Sequence, residues 1–318
     1  MKHIWKVVFM TLGILAGIGM VCLAVGAALG GADQAVRLLR EEAGGRRDMD
    51  REDAVRWMET VEAEDWPEQA EIVFPVDGAR YEDLEVADRE QIQCILIRAE
   101  SCELTIEETE RNFYGIIAEN MDGMQYFTEE DSLVIVAQKD QKSSGINSRL
   151  TLYIPRAAAI QTMEMELGAG RFCASNLTTE YLDLESGAGN FILEGLKAGQ
   201  AEIELGAGRL EIRDGEVTDL VIEAGMGDLS YQGSILGNVK AECAMGAIHL
   251  LVAGDEEAYN YRTECAAGSI QVGTEGRNLS FGEHTWTNNG AMKGMELSCM
   301  MGRIEVGFYE NGGNVYEQ

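Results

Sequence analysis

The sequence is poor in the residues that form most enzyme sites. It has only 3 histidines and 3 prolines among 318 residues. It contains no P-loop, no HExxH motif and no nucleophile elbow, and none of its 7 cysteines forms a CxxC pair or a cluster with histidine. His249 and His284 fit no Ser/His/Asp or Cys/His spacing. These absences disfavour catalysis and a zinc site, so we expect a protein that is not an enzyme and that carries no metal or cofactor at such motifs.

Positive charge is also scarce. The chain has 25 lysine and arginine residues against 55 aspartate and glutamate residues, which gives a formal net charge of -30. A body this acidic repels nucleic acids and anionic lipid headgroups. We therefore expect no nucleic-acid partner. The charge favours a well-solvated surface that meets divalent cations or basic partners.

The clearest local signal is an uncharged run near the N-terminus. Residues 7–30 read VVFMTLGILAGIGMVCLAVGAALG. A membrane-spanning helix needs about 20 apolar residues, whereas a signal peptide needs about 7–15. The length predicts a single transmembrane anchor, with a cytoplasmic tail at residues 1–6, a charged helical stalk at 31–71, and the body outside the cell membrane. The small residues that end the run leave cleavage as the alternative.

A motif built around Gly-X-Gly recurs along the second half of the chain. Its copies read MEMELGAGRFCA, YLDLESGAGNFIL, AEIELGAGRLEI, DLVIEAGMGDLSY, VKAECAMGAIHL, RTECAAGSIQV and ELSCMMGRIEV. We number them 1 to 7 in chain order. The first five follow at steps of 19 residues, and steps of 22 and 34 residues lead to copies 6 and 7. The second glycine position, which we assign to a structural turn, holds Gly170, Gly189, Gly208, Gly227, Gly246, Gly268 and Gly302.

Apolar and polar side chains alternate on both sides of this glycine. In copy 3, Ile203 and Leu205 precede it, and Leu210 and Ile212 follow it. A period of two is typical of strands with one buried face, so each copy is predicted to be a strand, a tight bend and a strand. Copies of equal length can pair in parallel, each with the next, about 4.8 Å apart around a shared apolar interior. The sequence therefore predicts an all-β fold, a parallel β-solenoid of about 19 residues per copy.

The regular copies occupy only part of the predicted body. Residues 72–160 contain less regular strand-like runs and are assigned to irregular β coils and an N-terminal cap. Residues 161–307 hold the regular repeats, which an insertion at 276–294 interrupts, and residues 308–318 are assigned to a C-terminal tail.

Several of these features together resemble one bacterial family. They are the anchor, LYIP at residues 152–155, the Gly-X-Gly copies, and the late YNY…EC copy with its long insertion. The family consists of β-strand repeat proteins labelled as a domain of unknown function and often named putative adhesins. The resemblance covers roughly residues 72–307. It implies a bacterial envelope protein, either single-span or exported, and it transfers no catalytic residues.

Six copies carry a glutamate four residues before the second glycine. Alternation places these side chains on the outer face, where stacked copies would align them in a column with repulsion of roughly 0.2–1 kcal/mol per pair. Two interpretations remain open, a ladder that binds Ca²⁺ or a basic partner, and a hydrated face that resists aggregation. The nonapeptide pattern of calcium-binding β-rolls is absent. The six residues are Glu166, Glu185, Glu204, Glu223, Glu242 and Glu264.

Two further features have open interpretations. Cys243, Cys265 and Cys299 lie three residues before the glycine of their copies and should face inward, as one disulfide pair with a free thiol or as three small buried hydrophobes. The insertion either presents a ligand-binding loop or folds back as a cap over the last copy. Its candidate ligand-binding residues are Phe281, His284, Trp286 and Asn288.

The sequence thus favours a membrane-anchored, extracytoplasmic surface that acts in binding, adhesion or envelope sensing, with an unidentified protein or glycan partner. The first alternative is a structural protein that self-associates through uncovered ends of the stack. The second is a β-helix enzyme that cleaves polysaccharides with clustered acids.

Overall fold

The computed structural model describes residues 71–73, 84–88, 92–119, 123–138, 148–156, 158–273, 277–279 and 282–310. These residues form nineteen strands and one 3-10 turn at Glu256–Ala258. The all-β class predicted from the sequence is confirmed. The strands are β1 (Glu71–Val73), β2 (Leu84–Asp88), β3 (Cys94–Thr109), β4 (Phe113–Glu119), β5 (Gly123–Glu129), β6 (Ser132–Gln138), β7 (Arg149–Pro155), β8 (Thr162–Ser175), β9 (Thr178–Glu194), β10 (Lys197–Ala224), β11 (Asp228–Ile235), β12 (Val239–Cys243), β13 (Ala247–Ala253), β14 (Tyr259–Cys265), β15 (Ser269–Val272), β16 (Arg277–Leu279), β17 (Glu283–Thr287), β18 (Lys293–Cys299) and β19 (Arg303–Tyr309).

Consecutive copies pair in parallel and in register, one repeat apart. Before the bend, β8 pairs with β9 from Thr162 opposite Tyr181, and β9 pairs with β10 from Tyr181 opposite Gln200. After the bend the same strands continue side by side, with Phe172 opposite Phe191. We call the segments before the bend the first row and those after it the second row. Equivalent positions of neighbouring copies therefore form columns about 4.8 Å apart.

Columns of apolar side chains fill the interior between the rows. Leu184, Ile203 and Ile222 occupy equivalent positions in copies 2, 3 and 4, and each is at most 1% exposed. A short third side, which the sequence interpretation missed, adds the buried side chains of Leu177 and Leu196 to the same cluster. Since no copy can bury its own apolar face, each depends on its neighbours for burial.

The bend is tight enough to require glycine. Gly208 has φ +107°, a conformation that L side chains rarely adopt. A Cβ at this position would also lie 2.6 Å from the backbone nitrogen of Gly189, the equivalent residue of the preceding copy. The glycine therefore allows both the turn and the close approach of the neighbouring backbone.

The last three copies stack in a different order from their order in the chain. In the first row, β12 of copy 5 pairs with β18 of copy 7, which pairs in turn with β14 of copy 6. In the second row β13, β19 and β15 repeat this order. The expectation that each copy pairs with the next along the chain is therefore wrong for copies 5 to 7. After copy 6 the chain runs through the insertion and returns to fill the position between copies 5 and 6.

The other end of the stack is built in a similar way. β3 precedes the repeats, yet it pairs with β8 on one side and with β6 and β7 on the other. Antiparallel strands then cover this end, with β5 on β6, β4 on β7, β1 on β5 and β2 on β4. At the opposite end β17 lies antiparallel on β14, and β16 lies antiparallel on β15. The parallel stack is thus bordered by antiparallel strands at both ends.

Several sequence predictions concern residues outside the described ranges. These are the cytoplasmic tail, the anchor at residues 7–30, the stalk up to residue 70, and Phe281. Among the described residues, no helix has the length and apolar content that a membrane span requires.

Candidate binding surface

The glutamate column lies on the outward side of the first row. Its members are half-buried or exposed, and the residues beside them along each strand point inward. The hydrogen bond from Gly225 N to Leu205 O, 2.8 Å long, shows that the first row continues from copy 3 to copy 4. The column therefore contains five glutamates on successive copies, in the order Glu166, Glu185, Glu204, Glu223 and Glu242.

The sixth glutamate is set apart by the changed stacking order. Ser298 of copy 7 lies opposite both Glu242 and Glu264, and so separates them. On its other side Glu264 lies opposite His284, with Nδ1 of the histidine 3.6 Å from the carboxylate. Copy 7 carries serine where the other copies carry glutamate, and this interrupts the run of like charges.

A second acidic column runs beside the first in copies 1 to 3. Glu164, Asp183 and Glu202 lie opposite one another in register, two residues before the glutamates of the first column. The two columns form a grid of carboxylates three copies long and two columns wide, which we call the acidic grid. The sequence interpretation missed the second column, although Glu164, Asp183 and Glu202 recur at the same 19-residue spacing as the glycines. The acidic grid comprises Glu164, Asp183, Glu202, Glu166, Glu185 and Glu204.

Cations border the glutamate column on both sides of the acidic grid. Arg98 of β3 lies opposite Glu166, and its Nε donates to the carboxylate at 2.8 Å. Lys240 approaches Glu242 at 2.8 Å and Glu223 at 3.9 Å. Arg98 thus pairs with the grid member Glu166, and Lys240 pairs with the glutamates of copies 4 and 5.

The carboxyl of Glu223 is affected first by burial and second by its neighbours in the column. Burial raises the pKa of its carboxyl, Glu242 raises it further, and Lys240 opposes the shift. Because the folded state holds this proton more tightly than the unfolded chain, Glu223 contributes most stability below the pKa of an unfolded glutamate, about 4.3. That contribution is lost as the pH rises through the folded pKa.

We expect Glu223→Gln to raise the free energy of unfolding by about 0.2–1 kcal/mol near neutral pH. The gain should vanish below about pH 4, where the glutamate is itself protonated. Urea unfolding at both pH values measures the difference. Glu264→Gln is the matched control, since its neighbours in the column are Ser298 and His284 rather than acids. An equal gain in both variants would contradict repulsion between adjacent glutamates.

The three inward cysteines form one column in the order Cys243, Cys299 and Cys265. All three are buried free thiols. A hydrogen bond joins the thiols of Cys243 and Cys299 and raises the pKa of Cys299. Burial raises the pKa of the half-buried Cys173 thiol, which disfavours its thiolate form.

Part of the insertion lies against copy 6. In strand β17, His284 and Trp286 pair with β14, and their side chains stay exposed, 68% in the case of Trp286. Asn288 is exposed, and its side-chain oxygen accepts a hydrogen bond from Gly290 N at 2.8 Å. Asn260 holds the turn that follows, because its side-chain oxygen accepts hydrogen bonds from the backbone of Asn289 and Ala291. This segment therefore lies on copy 6 as an outer strand.

The described residues contain no group of three or more His, Cys, Asp or Glu side chains arranged to hold a metal ion. The two histidines instead lie in separate pairs with glutamate. His249 Nδ1 is 3.0 Å from Glu305 in the second row, and His284 faces Glu264 in the first row. The structure does not bring the two histidines together on one row.

The parallel copies, the glycine bends and the outward acids define an all-β repeat protein. The chain belongs to the family described as Toastrack DUF4097, whose model matches residues 87–307. This confirms the resemblance to a β-strand repeat family of unknown function. Among curated proteins, none matches the chain.

Solved structures of three bacterial proteins are similar to this chain. A "putative cell adhesion protein" from Clostridium sporogenes is 10% identical, with a TM-score of 0.34 over 73% of this chain and 100% of its own. A "putative adhesin" from Bacteroides fragilis is 12% identical, with a TM-score of 0.40 over 76% of this chain and 98% of its own. A "putative lipid binding protein" from Parabacteroides distasonis is 13% identical, with a TM-score of 0.38 over 74% of this chain and 99% of its own.

Proposed function

We propose that this protein is a non-catalytic binding protein, a β-solenoid whose acidic grid recruits a basic partner. The observation that carries the proposal is the register of the two acidic columns. Six carboxylates lie on three adjacent strands, Glu164 buried and the other five half-buried or exposed, and like charges one strand spacing apart repel each other. A partner that places several lysine or arginine side chains along this face relieves that repulsion and gains several ion pairs at once.

The expected binding is electrostatic, so its affinity should fall steeply as salt rises. Calorimetry with a lysine-rich peptide measures it, and a glutamate-rich peptide of equal length is the control ligand. The variant Asp183→Asn/Glu202→Gln/Glu204→Gln should weaken binding by about tenfold or more. Glu194→Gln/Glu216→Gln/Glu257→Gln removes the same charge away from the grid and should change the affinity much less. Equal losses in the two variants would mean that only net charge matters.

Calcium is the competing ligand for the same carboxylates, since hard oxygen donors suit this ion. Isothermal titration with Ca²⁺ tests it directly. If millimolar calcium gives no heat of binding, calcium does not bind the grid and the basic partner remains as its ligand.

We further propose that residues 7–30 anchor the body outside a bacterial cell membrane, where the acidic face serves adhesion or envelope sensing. The uncharged length of that run supports this topology. Protease treatment of intact cells should release fragments of the body. Full protection of the body in intact cells, with digestion after lysis, would contradict the topology.

Self-association is a second candidate function. Trp286 on the outer strand β17 is 68% exposed. Among the described strands, β17 pairs only with β14. A strand at the end of a sheet is a template for another chain. Light scattering across a concentration series should then show growth into filaments, whereas a monomer at high concentration would exclude this function.

A further inference from the structure

Three methionines form a column on the outer side of the bend, and only the changed stacking order brings them together. The residue between the two glycine positions is methionine in copies 4, 5 and 7, as Met226, Met245 and Met301. In chain order copy 6 would separate the last two. In the folded protein copy 7 lies directly on copy 5, so the three methionines lie on successive copies.

The backbone places these residues at equivalent positions. Met245 N donates to Gly225 O at 2.8 Å, the residue before Met226 in the neighbouring copy. Met301 N donates to Ala244 O at 2.7 Å, the residue before Met245. The same hydrogen bond at each step means the same local geometry, with successive Cα atoms about 4.8 Å apart.

The side chains are accessible along this column. Met226 is 43% exposed and Met301 is 47% exposed, and Met245 between them is half-buried. The bend does not require a large residue, because the remaining copies carry alanine there. Those residues are Ala169, Ala188, Ala207 and Ala267.

We propose that the methionine column of Met226, Met245 and Met301 binds a soft monovalent metal ion, Cu(I) or Ag(I), through thioether sulfurs. Thioethers are soft ligands that select Cu(I) over the hard ions Ca²⁺ and Mg²⁺. Methionine has three rotatable bonds, so side chains that start one strand spacing apart can converge on one ion. The net charge of -30 raises the local concentration of cations at the surface. This site is separate from the acidic grid and uses none of its residues.

Silver(I) is the probe, since it is soft and needs no reductant. Protein labelled with ¹³C at the methionine methyl groups is titrated with silver nitrate in chloride-free buffer and followed by NMR. The methyl signals of Met226, Met245 and Met301 should shift together as one ion binds, with single Met→Ala variants supplying the assignments. Met292, which is fully exposed and outside the column, should not shift. Equal shifts at Met292, or no shift in the column, would overturn the proposal.

The variant Met226→Ala/Met245→Ala/Met301→Ala restores the residue that the other four copies carry, so it should fold. Native mass spectrometry should show that it binds one silver ion fewer than the parent protein, while Met292→Ala binds the same number as the parent. The buried cysteines also attract silver, but they are unchanged in both variants. An unchanged stoichiometry in the triple variant would assign all binding to thiols and refute the thioether site.

Discussion

Replacing Gly208 with alanine is expected to lower the free energy of unfolding by about 3 kcal/mol or more. Two effects act together at this position. Its φ of +107° is strained for any L side chain, and the new methyl group would meet the backbone of Gly189 in the preceding copy. The neighbouring contact is backbone, which cannot move aside as a flexible side chain could. Urea unfolding measures the loss, and thermal unfolding should show a Tm lower by roughly 6–12 °C.

Gly254 provides the matched control for this prediction. Its φ is +118°, close to that of Gly208, but a Cβ there would meet no atom within 4 Å. Gly254→Ala should therefore report the backbone strain alone, about 1–3 kcal/mol. The difference between the two variants measures the close approach of neighbouring copies. Equal losses would mean that the copies do not touch at the bend.

Replacing Leu297 with aspartate should destabilise copies 6 and 7 together rather than one strand alone. Leu297 is 1% exposed on β18, between Ala241 of copy 5 and Thr263 of copy 6. An unpaired carboxylate in this interior should cost about 4 kcal/mol or more. Since copy 6 is held to the rest of the protein through copy 7, strands β14, β15 and β17 should lose their support together with β18 and β19.

Hydrogen exchange followed by mass spectrometry distinguishes the two stacking orders. We expect residues 259–272 to exchange as fast as residues 293–309 in Leu297→Asp, while residues 162–213 keep their protection. Glu296→Ala is the control on the same strand, because its side chain points outward and its ion pair with Arg262 at 3.8 Å contributes at most about 1 kcal/mol. If residues 259–272 stayed protected while β18 and β19 opened, copy 7 would be the outermost copy and the order in the chain would hold.

The repeat period predicted the strands and the bends because both depend on local pattern. Alternating side chains around Leu205 and Leu210 specify which face is buried, and the glycine at Gly208 marks the bend. The same period would have revealed Asp183 and Glu202, which recur beside the glutamates, and Leu177 and Leu196 on the third side. These features lie farther along each copy than the positions beside the glycine, where the repeated pattern is strongest.

The stacking order could not be predicted from the same pattern. Copies 5, 6 and 7 present nearly the same face to a neighbour, so Cys243 fits beside Cys265 as well as beside Cys299. The choice depends on the path of the insertion, whose strands β16 and β17 cover copy 6 and then return the chain. The break of the glutamate column at Ser298 and the methionine column both follow from that choice.

Cross-linking of paired cysteines tests the stacking order most directly. Glu242→Cys/Ser298→Cys places two outward thiols on partners that lie in register across β12 and β18. Glu242→Cys/Glu264→Cys places them two strand spacings apart, with Ser298 between. A short bifunctional thiol reagent, with products mapped by peptide mass spectrometry, should join the first pair efficiently and the second pair hardly at all. Efficient joining of the second pair with little joining of the first would show that copy 6 lies directly on copy 5, contrary to this account.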